Sequence, residues 1–150
     1  MNEKKGVLLL NLKRPGAGGG AVDCMGLFYL AAVLENRGYE PWVFHGTTGE
    51  APDIFEKNIF EKNIAAVGFS CDYHNRTAVE ELCLYVKNKY GVPVIVGGPQ
   101  AIALDAEFFK KSGCDYVVRG EAEETLPELV DLIVFSRGGR ELIKGLCWQS

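Results

Sequence analysis

Four short apolar runs constrain this chain more than anything else in it: Gly6–Leu12 (GVLLLNL), Tyr39–Phe44, Ile64–Phe69 and Val92–Val96. They stop at small or polar residues: Lys13-Arg14-Pro15-Gly16, His45-Gly46, Ser70-Cys71-Asp72 and Gly97-Gly98-Pro99. A strand with one wet face alternates apolar and polar residues. These runs hardly alternate, so they predict strands buried on both faces of a parallel sheet. Such strands need helices above and below, and the segments between them have helical length: 24–36, 53–63, 77–90, 102–111 and 121–135. Asp115–Val118 reads as a short fifth strand and Leu142–Trp148 as a candidate edge strand. Strict alternation with short connections predicts an α/β fold: a flavodoxin-like doubly wound parallel sheet in three α/β/α layers, order 2-1-3-4-5.

Local signals support these segments. Asp23 suits an N-cap and Gly38 the residue that closes the same helix. Pro127 falls early in the last helical segment, where it is expected to delay or bend the start. Ile-Phe-Glu-Lys-Asn occurs at 54–58 and again at 59–63. A five-residue period is not a helical one, and two copies make no solenoid, so the duplication carries no architecture of its own.

The bulk properties exclude several classes. With 150 residues, 47% hydrophobic, the chain suits one globular domain with a sizeable core. Net charge is −4 and the basic residues are scattered, which leaves no nucleic-acid footprint. No apolar run has the roughly 18 residues of a membrane span. The N-terminal Met1-Asn2-Glu3-Lys4-Lys5 has no signal-peptide character, and a cytoplasmic location is expected. Five cysteines at 24, 71, 83, 114 and 147 have no Cys-x-x-Cys spacing, which argues against a zinc site or a disulfide framework.

In open α/β sheets, ligands bind at the carboxyl ends of the strands. Here those ends supply Pro15, Gly16, Ala17, Gly18, Gly19 and Gly20 after strand 1, and Ser70, Cys71, Asp72 and Tyr73 after strand 3. They supply Gly97, Gly98 and Pro99 after strand 4, and Gly120 and Glu121 after strand 5. In the order 2-1-3-4-5 the glycine-rich loop and the Ser70–Tyr73 loop flank one crevice. Glycines at 97 and 98 let a ligand approach the backbone, and a side chain at Gly98 is expected to weaken binding without unfolding the domain.

Three motifs compete for that crevice. Gly16-Ala17-Gly18-Gly19-Gly20-Ala21 matches G-x-G-x-x-A after a strand. However, strand 2 ends in Phe44-His45-Gly46, with no acid to hold a ribose, and no Gly-Lys-Ser/Thr follows. An NAD(P)-binding Rossmann-type domain therefore stays as the alternative. A phospho-receiver needs clustered carboxylates, and only Asp72 is suitably placed. Asp72-Tyr73-His74-Asn75-Arg76-Thr77 is close to the Asp-x-His-x-x-Gly loop that supplies an axial histidine to cobalamin. It lacks the final glycine and follows strand 3 rather than strand 1, so His74 is expected on the surface, with Asp72 or Asn75 capping the next helix. No metal ligand or catalytic residue is assigned.

Taken together, Val67-Gly68-Phe69-Ser70, Val94-Ile95-Val96-Gly97-Gly98-Pro99 and Asp115–Glu123 (DYVVRGEAE) with Thr125-Leu126 resemble the N-terminal cobalamin-binding domain of cobalamin-dependent radical S-adenosylmethionine (SAM) enzymes. The tail Ile143–Trp148 resembles that domain's closing strand. The resemblance spans essentially the whole chain. It implies that cobalamin is held at the strand ends, its nucleotide tail in the crevice, commonly without an axial histidine. It also implies a downstream radical domain carrying SAM and a [4Fe-4S] cluster, whose Cys-x-x-x-Cys-x-x-Cys motif does not occur in these 150 residues. Residues 1–136 are then expected to form the cobalamin module and 137–150 the closing strand and link to that domain. The parent enzyme is expected to methylate or rearrange an unreactive carbon, and this domain alone to be non-catalytic. Without its partner domain, the surface around 15–25, Tyr73 and 99–103 is expected to favour self-association.

Overall fold

The computed structural model describes residues 3–16 and 25–149. Among the described residues, six strands form one sheet in the order β2-β1-β3-β4-β5-β6. They are β1 (Gly6–Lys13), β2 (Glu40–Thr47), β3 (Ile64–Ser70), β4 (Val94–Gly97), β5 (Tyr116–Val118) and β6 (Leu146–Trp148). The first five are parallel, and β6 pairs antiparallel with β5, Val117 facing Cys147. The flavodoxin-like order holds, extended by one antiparallel edge strand. The order 3-2-1-4-5 that a dinucleotide-binding domain requires does not form, because β1 lies between β2 and β3.

The absence of alternation in β1 has a direct cause: both of its faces are covered. Val7, Leu8, Leu9, Leu10 and Leu12 are all buried. Val7 and Leu9 point into one layer with Ala66, Ile95 and Val118, under α1 (Met25–Asn36) and α5 (Ala122–Phe135). Leu8, Leu10 and Leu12 point into the other with Val67, Phe69, Val94 and Val96. That second layer is covered by α2 (Ala51–Asn58), α3 (Arg76–Tyr90) and α4 (Ala106–Ser112), through Phe55, Val79, Cys83 and Phe108 among others. Each such side chain contributes about 1.5–3 kcal/mol on burial, so the central strands anchor the fold.

Four segments depart from expectation. The helix anticipated over 53–63 is α2, starting at Ala51 with Pro52 in its first turn and ending at Asn58. The Asn58 amide folds back to donate to the Ile54 carbonyl at 2.6 Å, and Asn63 takes a left-handed φ of 51°. The two Ile-Phe-Glu-Lys-Asn copies thus adopt different structures, the first helical and the second a series of turns into β3. The helix anticipated over 102–111 is split. A 3₁₀ turn at Ala101–Ala103 precedes α4, and the Asp105 carboxylate caps α4 by accepting from the Phe108 N–H at 3.1 Å. Pro127 does not delay α5, which begins at Ala122 and carries it in its second turn. The edge strand is only Leu146–Trp148, after a 3₁₀ turn at Arg140–Leu142. Gly38 has the positive φ (98°) foreseen for the end of α1, whereas Asp23 and Cys24 lie outside the described residues.

Candidate functional site

At the carboxyl end of the sheet, a crevice of about 350 Å³ opens between β3–β5 and the pair α1 and α5. Its deep wall is Leu9, Ile95, Val118 and Leu126, all buried, and α1 contributes Leu27 and Leu30. Ser70, Gly97, Gly98, Pro99, Gly120 and Glu121 complete it, so six of the residues assigned from sequence converge on one cavity. The chain folds this way because β3 and β4 end in Ser70 and Gly97 on the α1/α5 face, and Gly120 follows just past Val118 at the end of β5. Gly97 follows Ile95 on that face, leaving space where a side chain would otherwise stand. A Cβ built on Gly97 would meet only the Val118 carbonyl oxygen, at 3.7 Å, and one on Gly120 would meet nothing within 4 Å.

Gly98 plays a different part, which corrects the expectation for that position. Its φ is +98°, and a Cβ there would lie 2.8 Å from both the Cys71 nitrogen and the Ser70 Oγ. The Cys71 N–H donates to the Gly97 carbonyl at 2.7 Å, and the Gln100 N–H donates to the Cys71 carbonyl at 3.0 Å. Gly98 therefore lets the loops after β3 and β4 close on each other, and a side chain there strikes the protein before any ligand.

The loop after β3 is held by side-chain hydrogen bonds that sequence inspection did not resolve. Asn75 is buried, and its Nδ2 donates to the carbonyls of Leu12 (2.9 Å) and Ser70 (3.0 Å), tying the ends of β1 and β3 together. Its Oδ1 accepts from the Asp72 N–H at 2.8 Å. The Asp72 carboxylate accepts in turn from the N–H groups of His74 and Asn75, both at 2.8 Å, and pairs with Lys13 Nζ at 3.1 Å. Burial alone would raise the Asp72 carboxyl. The Asn75 N–H, the Lys13 ammonium and the His74 N–H outweigh it and hold the group below its usual range. The signal available in sequence was the Asp72-x-x-Asn75 spacing at a helix entrance, which shows a cap but not the reach of Asn75 to β1.

The remaining assigned residues are distributed around the crevice. Cys71 does not line it. The side chain packs into the α2/α3/α4 layer, and burial pushes its thiol up to about 12, so it is no thiolate. Tyr73 is 80% exposed at the rim, and His74 is exposed beside it with the rings 5.7 Å apart. Pro15 and Gly16 line a separate shallow groove with Arg14, Thr48, Thr77 and Glu81. Ala17, Gly18, Gly19 and Gly20 lie outside the described residues. Among the described residues no three His, Cys, Asp or Glu side chains gather to hold a metal ion. None of the described helices is long and apolar enough to cross a membrane.

This chain belongs to the B12-binding domain family, whose model matches residues 18–130. No curated protein matches it. Among solved structures it is similar to TsrM, a radical S-adenosylmethionine methyltransferase from Kitasatospora setae with cobalamin and a [4Fe-4S] cluster bound. That match has a TM-score of 0.79 at 22% identity, covering 98% of this chain and 27% of TsrM. It is similar also to the cobalamin-dependent S-adenosylmethionine radical enzyme OxsB with aqua-cobalamin bound, at TM-score 0.76 and 16% identity, covering 99% of this chain and 21% of OxsB. The Methanosarcina barkeri monomethylamine corrinoid protein shares the fold more distantly, at TM-score 0.58 and 12% identity, covering 83% of this chain and 57% of that protein. The chain thus spans less than a third of the length of TsrM and OxsB.

The crevice fits part of a cobalamin molecule. An apolar cavity of about 150 Å³ takes up benzene. A volume near 350 Å³ with a glycine in its wall is enough for a bicyclic base with its sugar and too small for the much wider corrin ring.

Proposed function

We propose that this chain is the cobalamin-holding module of a larger cobalamin-dependent radical SAM enzyme, with the nucleotide tail in the crevice and the corrin over the carboxyl rim of the sheet. One observation carries the proposal: an apolar crevice with space at Gly97, at the carboxyl ends of β3–β5, in a chain of the B12-binding family. Cobalamin supplies a cobalt centre able to carry a methyl group or exchange electrons. The chain's own residues bind and orient. Ser70, Gly97, Gly98, Pro99, Gly120 and Glu121 surround the tail, and Gly98 and the backbone of Cys71 fix the rim. Asp72 and Tyr73 face the ring side, together with Pro15 and Gly16, and the sequence assigns Ala17, Gly18, Gly19 and Gly20 to cofactor binding as well. Asn75 and the Lys13–Asp72 pair hold the β1 and β3 ends together.

Residues 1–136 form the module in this proposal. Residues 137–150 add β6 to the sheet edge and lead toward a radical domain that brings SAM and the [4Fe-4S] cluster. Tyr73 and Ile102, 80% and 77% exposed, support a face that a second domain covers. Alone the module binds but does not catalyse, and its uncovered face favours self-association. The full enzyme transfers a methyl group or rearranges carbon.

The test is a titration of the 150-residue chain with cobalamin and with cobinamide, which lacks the nucleotide. Cobalamin should bind more tightly, and Gly97→Ala should weaken cobalamin while leaving cobinamide unchanged. Equal affinity for the two corrinoids would refute the placement of the tail.

A further inference from the structure

The assignment of the crevice to the nucleotide tail raises a narrower question, namely which tail it accepts. We infer that the crevice selects corrinoids whose lower base is an apolar benzimidazole over those carrying a purine such as adenine. This rests on the proposal above and goes beyond it.

The deep wall is hydrocarbon. Leu9, Ile95, Val118 and Leu126 are each no more than 3% exposed, and Leu27 and Leu30 close over them from α1. Polar side chains in the lining are few: the Ser70 hydroxyl at the end of β3, and Glu121 and Glu123 where α5 begins. Glu121 is exposed and Glu123 half-buried, so the carboxylates belong to the mouth, where they can accept from sugar hydroxyls.

A benzimidazole joined to ribose through one ring nitrogen has a single acceptor nitrogen left. One hydroxyl donor satisfies it. Its carbocycle and ring methyls are apolar and lose nothing against leucine and isoleucine. Adenine has nearly the same outline but presents three acceptor nitrogens and an amine with two donors. The aliphatic wall leaves most of these unpaired. One buried polar group without a partner lowers affinity by roughly ten-fold or more. Selection here acts by refusing hydrogen bonds to the wrong base, since size does not separate the two.

The test is anaerobic equilibrium dialysis of the 150-residue chain against cobalamin, its adenine-based analogue and cobinamide. All three are held in the cobalt(I) state, where the metal carries no axial base, so detaching the base adds no cost of its own. The expected order is cobalamin tightest, with the adenine analogue at least about ten-fold weaker and close to cobinamide. Val118→Thr keeps the side-chain shape and adds one hydroxyl to the deep wall, so it should shrink the ratio of cobalamin to adenine analogue several-fold. If cobalamin and the adenine analogue bind alike, and both more tightly than cobinamide, the crevice holds the tail without selecting the base, and this inference fails while the proposed function stands. If all three bind alike, both fail.

Discussion

Gly97 and Gly98 are adjacent in sequence, and the structure gives them opposite sensitivities. At Gly98, alanine brings a Cβ to within 2.8 Å of the Cys71 nitrogen and 2.9 Å of its carbonyl oxygen, where real Cβ atoms do not sit. It also forces a non-glycine residue to a φ of +98°. The left-handed conformation costs roughly 1–2 kcal/mol and overpacking a further 1–3 kcal/mol. Gly98→Ala should therefore lose about 2–5 kcal/mol, a large share of the ~5–15 kcal/mol that holds a domain of this kind. At Gly97 the nearest atom to a new Cβ is 3.7 Å away, an ordinary contact, and φ is unremarkable for an L-residue. Gly97→Ala should change stability by less than about 1 kcal/mol, with some gain from reduced chain entropy in the unfolded state. Urea denaturation followed by the fluorescence of Trp42 and Trp148 measures both. A Gly98→Ala variant within about 0.5 kcal/mol of wild type would show that the closure of the two loops is not what the residue is for, because strain and overpacking together exceed that margin.

Asn75→Ala removes three hydrogen bonds, to Leu12, Ser70 and Asp72, and at about 1 kcal/mol each the domain should lose about 3 kcal/mol in the same denaturation assay. Asp72 has a folded pKa below its ordinary value near 3.9. Its stabilisation is therefore complete above about pH 4 and fades as pH falls through the lower folded value, so Asp72→Asn should lower stability across the neutral and basic range, flatten the acid limb, and converge with wild type at low pH. His74 follows β3 and is exposed, so cob(II)alamin bound to the chain should show no superhyperfine splitting from an imidazole nitrogen in its electron paramagnetic resonance spectrum. A splitting that disappears in His74→Ala would contradict this.

The sheet was legible because both faces of β1, β3 and β4 are covered, and burial of that kind leaves continuous apolar runs such as Val7–Leu10 and Val94–Val96. The same property hid the side on which the crevice opens. When Leu8 and Leu9 are both leucine, nothing in the run says which faces α1 and α5. Helix limits were lost where tertiary contacts decide, most plainly at the duplicated Ile-Phe-Glu-Lys-Asn, helical at 54–58 and turned at 59–63. Asp105 was a readable N-cap that would have split the segment at 102–111, since its carboxylate sits three residues before Phe108. At the site, the strand ends fixed Ser70, Gly97, Pro99 and Gly120 to one neighbourhood. The direction of the missing Cβ at Gly98 and the reach of Asn75 to Leu12 depend on backbone φ and on a neighbour 63 positions away, and neither is written locally.

Hydrogen exchange across the whole chain, with and without cobalamin, tests the central claim most directly. If the crevice holds the cofactor, protection should appear in the amides of Leu27–Leu30, Ser70–Tyr73, Gly97–Gln100 and Gly120–Leu126, and the α2 segment Ala51–Asn58 should be unchanged. Protection confined to the groove of Arg14, Thr48 and Thr77, or to the α2/α3 face, would place the ligand elsewhere and contradict the account.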